Sequence, residues 1–267
     1  MVSSRIAFSR RVGYLIESAR ESAGLVRRAK VRFAGFDLIK GAPAVDPGEL
    51  LQGIDVGIDL ENPDFEYTLV RGNRNYLGLT RPGMMKQRWS ERRPRARPFF
   101  HPSAMFPKLS RALVNLSRCR EGETLLDPFC GTGSLPIEAA AVGARVVAAD
   151  LAGRMTKGAR ANMTYFGQSS MGVVRADALS SPFRAVDAIV ADVPYGRASS
   201  TLGTEPGRVV QRVLPSLSGL LARGSRMVLM HSDRESMPAA KDLVLEERHH
   251  LYVHKLLTRT VSVLRRR

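Results

Sequence analysis

Asp127-Pro128-Phe129-Cys130-Gly131-Thr132-Gly133-Ser134 is the stretch that decides the fold of this chain. The apolar run Thr124-Leu125-Leu126 leads into Asp127, and Leu135 to Val142 has helical spacing. A strand that passes into a helix across a Gly-x-Gly turn opens a βαβ unit. Glycine lets the backbone turn tightly and approach a ligand closely. Such a turn by itself also fits a nicotinamide or flavin site. Here Pro136 stands where the third glycine of that fingerprint falls. Asp127 also sits where it would repel a pyrophosphate, and a ligand with a cationic amino group suits that carboxylate better.

The same grammar repeats downstream. Arg145 to Ala149 reads as a strand ending at Asp150, 17 residues after Gly133. Residues 153–166 read as a helix, Val173 to Ala176 leads to Asp177, and Ala188 to Ala191 leads to Asp192. A helix near 207–222 precedes the strand Met227 to Met230, and strands near 243–253 and 259–264 follow. Alternating strands and helices predict an α/β fold, a parallel sheet covered on both faces. Ligands of such sheets bind at the carboxyl ends of the strands. A carboxylate at Asp150 can accept ribose hydroxyls, and Asp177 can accept from an adenine amino group. One strand-end aspartate is an ordinary turn residue; three in order after a glycine turn make a binding rim. S-adenosylmethionine, with an ammonium and a sulfonium and no phosphate, matches that rim.

Asp192-Val193-Pro194-Tyr195 ends the fourth of these strands. The exocyclic amine of a nucleobase is a poor nucleophile because its lone pair is delocalised into the ring. Two acceptors holding its N–H groups localise that pair, and Asp192 with the Val193 carbonyl can supply them. Pro194 fixes the turn, and Tyr195 can stack on a base for about 1–3 kcal/mol.

Most of the surplus positive charge lies in residues 81–120, with the rest mainly in the first 40 residues and the tail Arg265-Arg266-Arg267. The net charge is +16 on 267 residues, and only seven of the 41 basic residues are lysines. Arginine's planar fork suits phosphate and stacks on bases. Residues 81–120 carry eleven basic side chains against Glu91 alone, whereas residues 41–66 carry seven acidic and none basic. Pro82, Gly83, Pro94 and Pro98 interrupt any regular period, so residues 81–100 read as a basic linker. Arg88, Arg92, Arg93, Arg95 and Arg97 within it are candidates for contact with an RNA backbone. Ahead of it, residues 10–23 have helical spacing, and strand-like runs cover 31–39, 54–60 and a hairpin 66–70 with 76–79. These make a small α+β unit over residues 1–80.

Several classes are excluded. No apolar run reaches the roughly 18–20 residues of a membrane span, and Met1 to Phe8 lacks a signal-peptide core. Cys119 and Cys130 cannot build a disulfide framework, so we expect a soluble, cytoplasmic protein with no membrane partner. His231, His249, His250 and His254 lack metal-ligand spacing, and we expect no metal. Cys130 reads as an apolar filler of the turn, since amine methylation needs no enzyme nucleophile.

Asp127 to Gly133 followed by Asp192-Val193-Pro194-Tyr195 resembles the Rossmann-like, class I methyltransferases that use S-adenosylmethionine to methylate amines. His101-Pro102-Ser103-Ala104-Met105-Phe106-Pro107-Lys108-Leu109 through Asn115-Leu116 resembles the segment before the glycine turn in tRNA (guanine-10-N2)-methyltransferases. Ile58 to Asp64 with Tyr76-Leu77-Gly78 resembles the second half of their RNA-binding THUMP domain, and His254-Lys255-Leu256-Leu257-Thr258-Arg259 is similar to their C-terminal region. The resemblance implies a partial THUMP-like domain over 1–80, the linker, and a methyltransferase domain over 101–267. It implies S-adenosylmethionine held by His101, Asp127, Phe129, Gly131, Thr132, Gly133, Asp150, Leu151, Asp177 and Ala178, catalysis by Asp192, Pro194 and Tyr195, and tRNA as the partner. The family has a second proline where this chain has Val193; a carbonyl is available from either. Its members also carry a ferredoxin-like segment before a complete THUMP domain, so we expect a shortened form or a start upstream of Met1.

Three alternatives remain at this point. Methyltransferases acting on DNA adenine or cytosine, or on protein glutamine, share the Asp-x-Pro-Tyr pattern. A non-catalytic RNA-binding protein on the same scaffold is a second, and a Rossmann oxidoreductase a third. The number of methyl groups added, the tRNAs used and any accessory subunit are not encoded in these motifs.

Overall fold

Apolar residues alternate along Leu125-Leu126, Ala188 to Ala191 and Met227 to Met230, and in the structure the two sets point to opposite faces of one sheet. The computed structural model describes residues 14–37, 45–71, 75–81, 89–168, 170–180, 182–194, 208–234, 237–238, 240–254 and 257–267. The chain divides into two compact units, Met1–Gln87 and Arg88–Arg267.

The first unit contains β1 (Tyr14–Ile16), α1 (Ala23–Val26), β2 (Lys30–Asp37), α2 (Pro47–Leu50), β3 (Gly57–Ile58), β4 (Phe65–Arg71) and β5 (Tyr76–Thr80). Its sheet runs β1-β5-β4-β2-β3. β4 and β5 form the expected antiparallel hairpin, with Val70 opposite Tyr76; its tip, 72–74, lies outside the described residues. β2 lies parallel to both β4 and β3. The buried side chains of Ile16, Val26, Val31, Tyr67, Leu77 and Leu79 fill its core. Tyr67 stacks on Phe33 at 5.3 Å, and its hydroxyl meets Ser22 Oγ at 2.6 Å. The helix expected over 10–23 is a strand at Tyr14–Ile16, and helical turns begin only at Ala19–Ser22, leading into α1. Tyr14–Ile16 pairs with β5 as an edge strand, Leu15 outward and Ile16 inward, because strand pairing overrides a short local period. The strand expected over 54–60 shrinks to Gly57–Ile58.

The second unit is built from α3 (Pro107–Leu116), β6 (Thr124–Asp127), α4 (Ser134–Ala140), β7 (Arg145–Asp150), α5 (Gly153–Tyr165), β8 (Gly172–Arg175), β9 (Val186–Asp192), α6 (Val209–Leu220), β10 (Leu221–Ser232), β11 (Leu243–His254) and β12 (Leu257–Arg266). The sheet order is β11-β12-β10-β9-β6-β7-β8. β6 to β10 are parallel, and β12 inserts antiparallel between β10 and β11. One face packs Leu125, Val146, Ala188, Val190 and Val228 against α3, α4 and α5. The other packs Leu126, Ile189, Met227 and Leu229 against Val210, Val213, Leu214 and Leu217 of α6. The strand order reverses between β6 and β9, so the crevice beyond their carboxyl ends is the topological switch point.

Residues 89–100 are not a spacer. They pack onto the second unit, because their arginines find buried acid and hydroxyl partners there. Glu138 of α4 is fully buried and receives Arg92 Nε at 2.7 Å and Arg111 Nη2 at 2.6 Å. Trp89 lies against both guanidiniums, at 5.1 and 5.7 Å. Among the described residues no helix is long and apolar enough to cross a membrane.

Candidate active site

Three strands end in aspartates at the carboxyl rim of the sheet, Asp177 follows β8 by two residues, and three of these four aspartates build their own turns. Asp127 Oδ1 accepts from Phe129 N at 3.1 Å, Asp150 Oδ1 from Ala152 N at 2.9 Å, and Asp177 Oδ1 from Leu179 N at 2.9 Å. An aspartate accepting from the backbone two residues on is the usual way to turn a chain off a strand. These residues therefore serve the fold, and each has further acceptor capacity for a ligand. Asp150 does more: its Oδ2 accepts from Gly131 N at 3.0 Å, tying β7 to the glycine turn.

The turn itself separates the roles of its glycines. Gly133 has φ +85°, and a Cβ there would meet Ala159 of α5 at 3.3 Å, so it permits close packing of α5. Gly131 has φ +50° and nothing within 4 Å of a Cβ position, so the turn faces open space on that side. A ligand can lie against the bare backbone there.

Asp127 is almost wholly buried. Burial, with the charges of Asp150 and Asp192, pushes its carboxyl well above the ordinary range, although the Phe129 N–H pulls it down. A cation beside it would relieve that crowding of negative charge. Cys130 is also buried, and burial together with Asp127 and Asp150 raises its thiol well above normal, so it is inert as a nucleophile.

Asp192 breaks the pattern. The backbone after it is held by β10, with Val193 N donating to Met230 O at 2.8 Å. Its side chain is 24% exposed, yet its Oδ1 is buried with no hydrogen-bond partner among the described residues. Its Oδ2 lies 3.8 Å from Arg259 Nη1. Burial raises its pKa to about 6, with Arg259 acting in the opposite direction. An unmet buried acceptor at a switch point is a place for a donor from a substrate. Val193 is fully buried and Pro194 partly so; Tyr195 lies outside the described residues.

The other expected residues divide. Leu151 is exposed beside Asp150, Ala178 is buried beside Asp177, and Phe129 packs under the turn. His101 Nδ1 is engaged by Ser103, at 2.7 Å from its Oγ. The Thr132 side chain is buried and turned toward Arg97 Nη1 at 3.5 Å. Arg92 and Arg97 are corrections. Arg97 is only 5% exposed and binds Ser134 Oγ at 2.6 Å, the Met105 carbonyl at 3.3 Å and the Arg92 carbonyl at 3.1 Å. Its burial lowers its pKa to about 10. These two guanidiniums brace the protein and do not face an RNA backbone. Arg93 and Arg95 are exposed, and Arg88 lies outside the described residues.

Sequence reasoning missed Asn162, which is fully buried on α5. Its side-chain amide bonds both backbone groups of Phe99 and the Thr132 carbonyl, each at 2.9 Å. Residues 97–99 and the glycine turn are thus tied together by Arg97 and Asn162. An open groove of about 540 Å³ along α5, lined by Pro98, Phe99, Arg154, Lys157, Gly158 and Ala161, contains none of the rim aspartates. Among the described residues no cluster of His, Cys, Asp or Glu could hold a metal ion.

The tRNA (guanine(10)-N2)-dimethyltransferase of Methanothermobacter thermautotrophicus is 38% identical over 217 residues, covering 78% of this chain and 63% of that protein. The enzyme of the same name from Methanocaldococcus jannaschii is 31% identical over 191 residues, covering 68% and 52%. The chain thus spans between half and two thirds of the length of these relatives. The crystal structure of TrmN from Thermus thermophilus superposes with a TM-score of 0.55 at 24% identity, over 96% of this chain and 82% of that one, and confirms the Rossmann-like fold. The family model UPF0020, described as RMKL-like, methyltransferase domain, matches residues 94–260. That match takes in the glycine turn, all four rim aspartates and Arg259, and this chain belongs to the RMKL-like methyltransferase-domain family.

Proposed function

We propose that this chain transfers a methyl group from S-adenosylmethionine to the N2 amine of a guanosine in tRNA, position 10 being the expected target. The observation that carries the proposal is Asp192: alone among the rim aspartates it builds no turn of its own, and its buried Oδ1 lacks a partner among the described residues. The relatives named above bear the name of that reaction, which supports the choice of substrate.

The donor set fits S-adenosylmethionine. Asp127 offers a crowded carboxylate to an ammonium, Gly131 leaves room against the turn, and Asp150 and Asp177 offer acceptors to ribose and adenine. Leu151 presents an exposed apolar face beside them. When bound, the donor supplies an electrophilic methyl group.

The chain's own residues do the rest. A paired guanine must leave its helix before its amine can be reached. Asp192 Oδ1 and the Val193 carbonyl accept the two N–H groups and aim the nitrogen. Tyr195 stacks on the base. As the N–C bond forms, the amine releases a proton, which Asp192 accepts and passes to solvent at its exposed edge. Most of the benefit is alignment, since an aligned pair reacts far faster than a free one. The first unit and the exposed Arg93 and Arg95 would hold the tRNA, the unit acting as a partial THUMP-like domain.

The test uses unmodified tRNA transcript and tritiated S-adenosylmethionine, with nucleoside analysis of the product. Asp192→Ala should abolish transfer and leave donor binding by calorimetry within about threefold. Transfer by that variant near the normal rate, or methyl groups found on a base other than guanosine, would refute the proposal.

A further inference from the structure

β12 runs against its neighbours, so its first residues, and not its last, lie at the carboxyl rim where β9 and β10 end. Arg259 is opposite Ser232, two residues beyond Met230, which is itself opposite Asp192. Its guanidinium is thereby brought to 3.8 Å from Asp192 Oδ2. The same nitrogen lies 4.0 Å from Met230 Sδ. The two carboxylate oxygens of Asp192 are thus unlike: one faces a cation, and the other is buried without a partner among the described residues.

We propose that Arg259 is a positioning residue for methyl transfer, holding Oδ2 of Asp192 so that Oδ1 is presented to the amine of the substrate. The proposal rests on the reading of Asp192 given above and extends it to a residue on another strand. A carboxylate free to rotate would offer either oxygen. With the Arg259 cation against one oxygen, it offers the other.

The surroundings give Arg259 a second effect. Among the described residues, the Asp192 charge bears on Asp127 of β6, and Arg259 faces Asp192 from β12. On β10 the neighbour in register is Met230. The next residue, His231, is buried against Ser232 O and Ser262 Oγ, and burial lowers its pKa, so it adds no charge at neutral pH. Burial favours the neutral acid, and Arg259 is the group that opposes it. An acid hydrogen-bonds as a donor through one oxygen and cannot hold an N–H there.

The experiment is the pH dependence of kcat/KM on tRNA transcript for wild type, Arg259→Gln and Arg259→Lys, with donor affinity measured by calorimetry. In the wild type kcat/KM should fall as the pH drops through about 6. Arg259→Gln should move that acid limb upward by about one unit, the low end of the effect of a charge at this range. Its plateau should fall by roughly tenfold or more, because the carboxylate is no longer held. Arg259→Lys keeps the charge and loses the planar guanidinium that places Nη1 beside Oδ2, so its limb should stay and its plateau should fall. Donor affinity should be unchanged in both. An unmoved limb in Arg259→Gln overturns the proposal, as does an Arg259→Lys variant with a wild-type plateau. Should Arg259→Gln fold poorly, Arg259→Lys alone still decides, through its plateau. Asp192→Asn is measured alongside: if it retains transfer, the reading of Asp192 itself has failed; if it is inactive while the Arg259→Gln limb is unmoved, only this inference has.

Discussion

Glu138 makes the sharpest energetic prediction. It is fully buried and shared by Arg111, itself 1% exposed, and by Arg92. Glu138→Gln keeps the shape and removes the charge. The interior then holds the Arg111 cation with its counter-carboxylate gone. Breaking a buried pair in this way costs about 3–5 kcal/mol. For a unit of this size each kcal/mol shifts Tm by about 2–4 °C. The second unit should therefore lose roughly 6–20 °C by differential scanning calorimetry. Glu246→Gln is the control, since its pairs with Arg226 and Arg265 lie at the surface and should be worth about 0–1 kcal/mol. A double variant, Glu138→Leu with Arg111→Met, removes both members of the innermost pair and should recover most of the loss. The reasoning is refuted if Glu138→Gln shifts Tm by less than about 3 °C, or by no more than Glu246→Gln does.

Asp150→Ala should weaken donor binding, because it removes acceptors for the ribose and unties Gly131; unchanged affinity in calorimetry removes Asp150 from the donor site. Arg93→Glu with Arg95→Glu should raise KM for tRNA and reduce the salt dependence of binding by up to about two in slope; an unchanged slope would exclude both from the RNA interface. Gly158→Ala would place a Cβ 2.0 Å from the Phe99 ring, so it should destabilise by about 1–3 kcal/mol despite the better helix propensity of alanine. A rise in Tm for that variant would show that Phe99 moves aside freely.

Much of the second unit was legible because its elements carry their own periods. Arg145–Asp150 and Val186–Asp192 are apolar runs that stop at an acid, and the glycine turn marks where β6 becomes α4. Residues 10–23 misled because five apolar positions fit a helix, whereas Tyr14–Ile16 is decided by β5, more than sixty residues away in sequence. The basic stretch misled for a related reason. Prolines erase any period there, and the partners of Arg92 and Arg97 are Glu138 and Ser134, 46 and 37 residues on. One signal was present: Glu138 is the lone acid in the apolar helix 134–140, and an acid on a buried face calls for a cation. Within the site, Asp127, Asp150, Asp177 and Asp192 could be picked out from their strand ends. That Asp192, alone of the four, has no backbone donor among the described residues could not be read without coordinates. Arg259 stood out in sequence only as part of His254 to Arg259; its place at the rim depends on a strand reversing direction.

That reversal also governs the order in which the molecule can be completed. Until β12 has been synthesised, the outer edge of β10 from Arg226 to Ser232 has no neighbour, and the stretch Met227 to His231, buried in the finished sheet, stands open to any chain that meets it. A nascent polypeptide thus carries this open edge from the completion of β10 until β12 emerges near the end of translation, and shortening the chain before residue 257 should leave the edge exposed to aggregation.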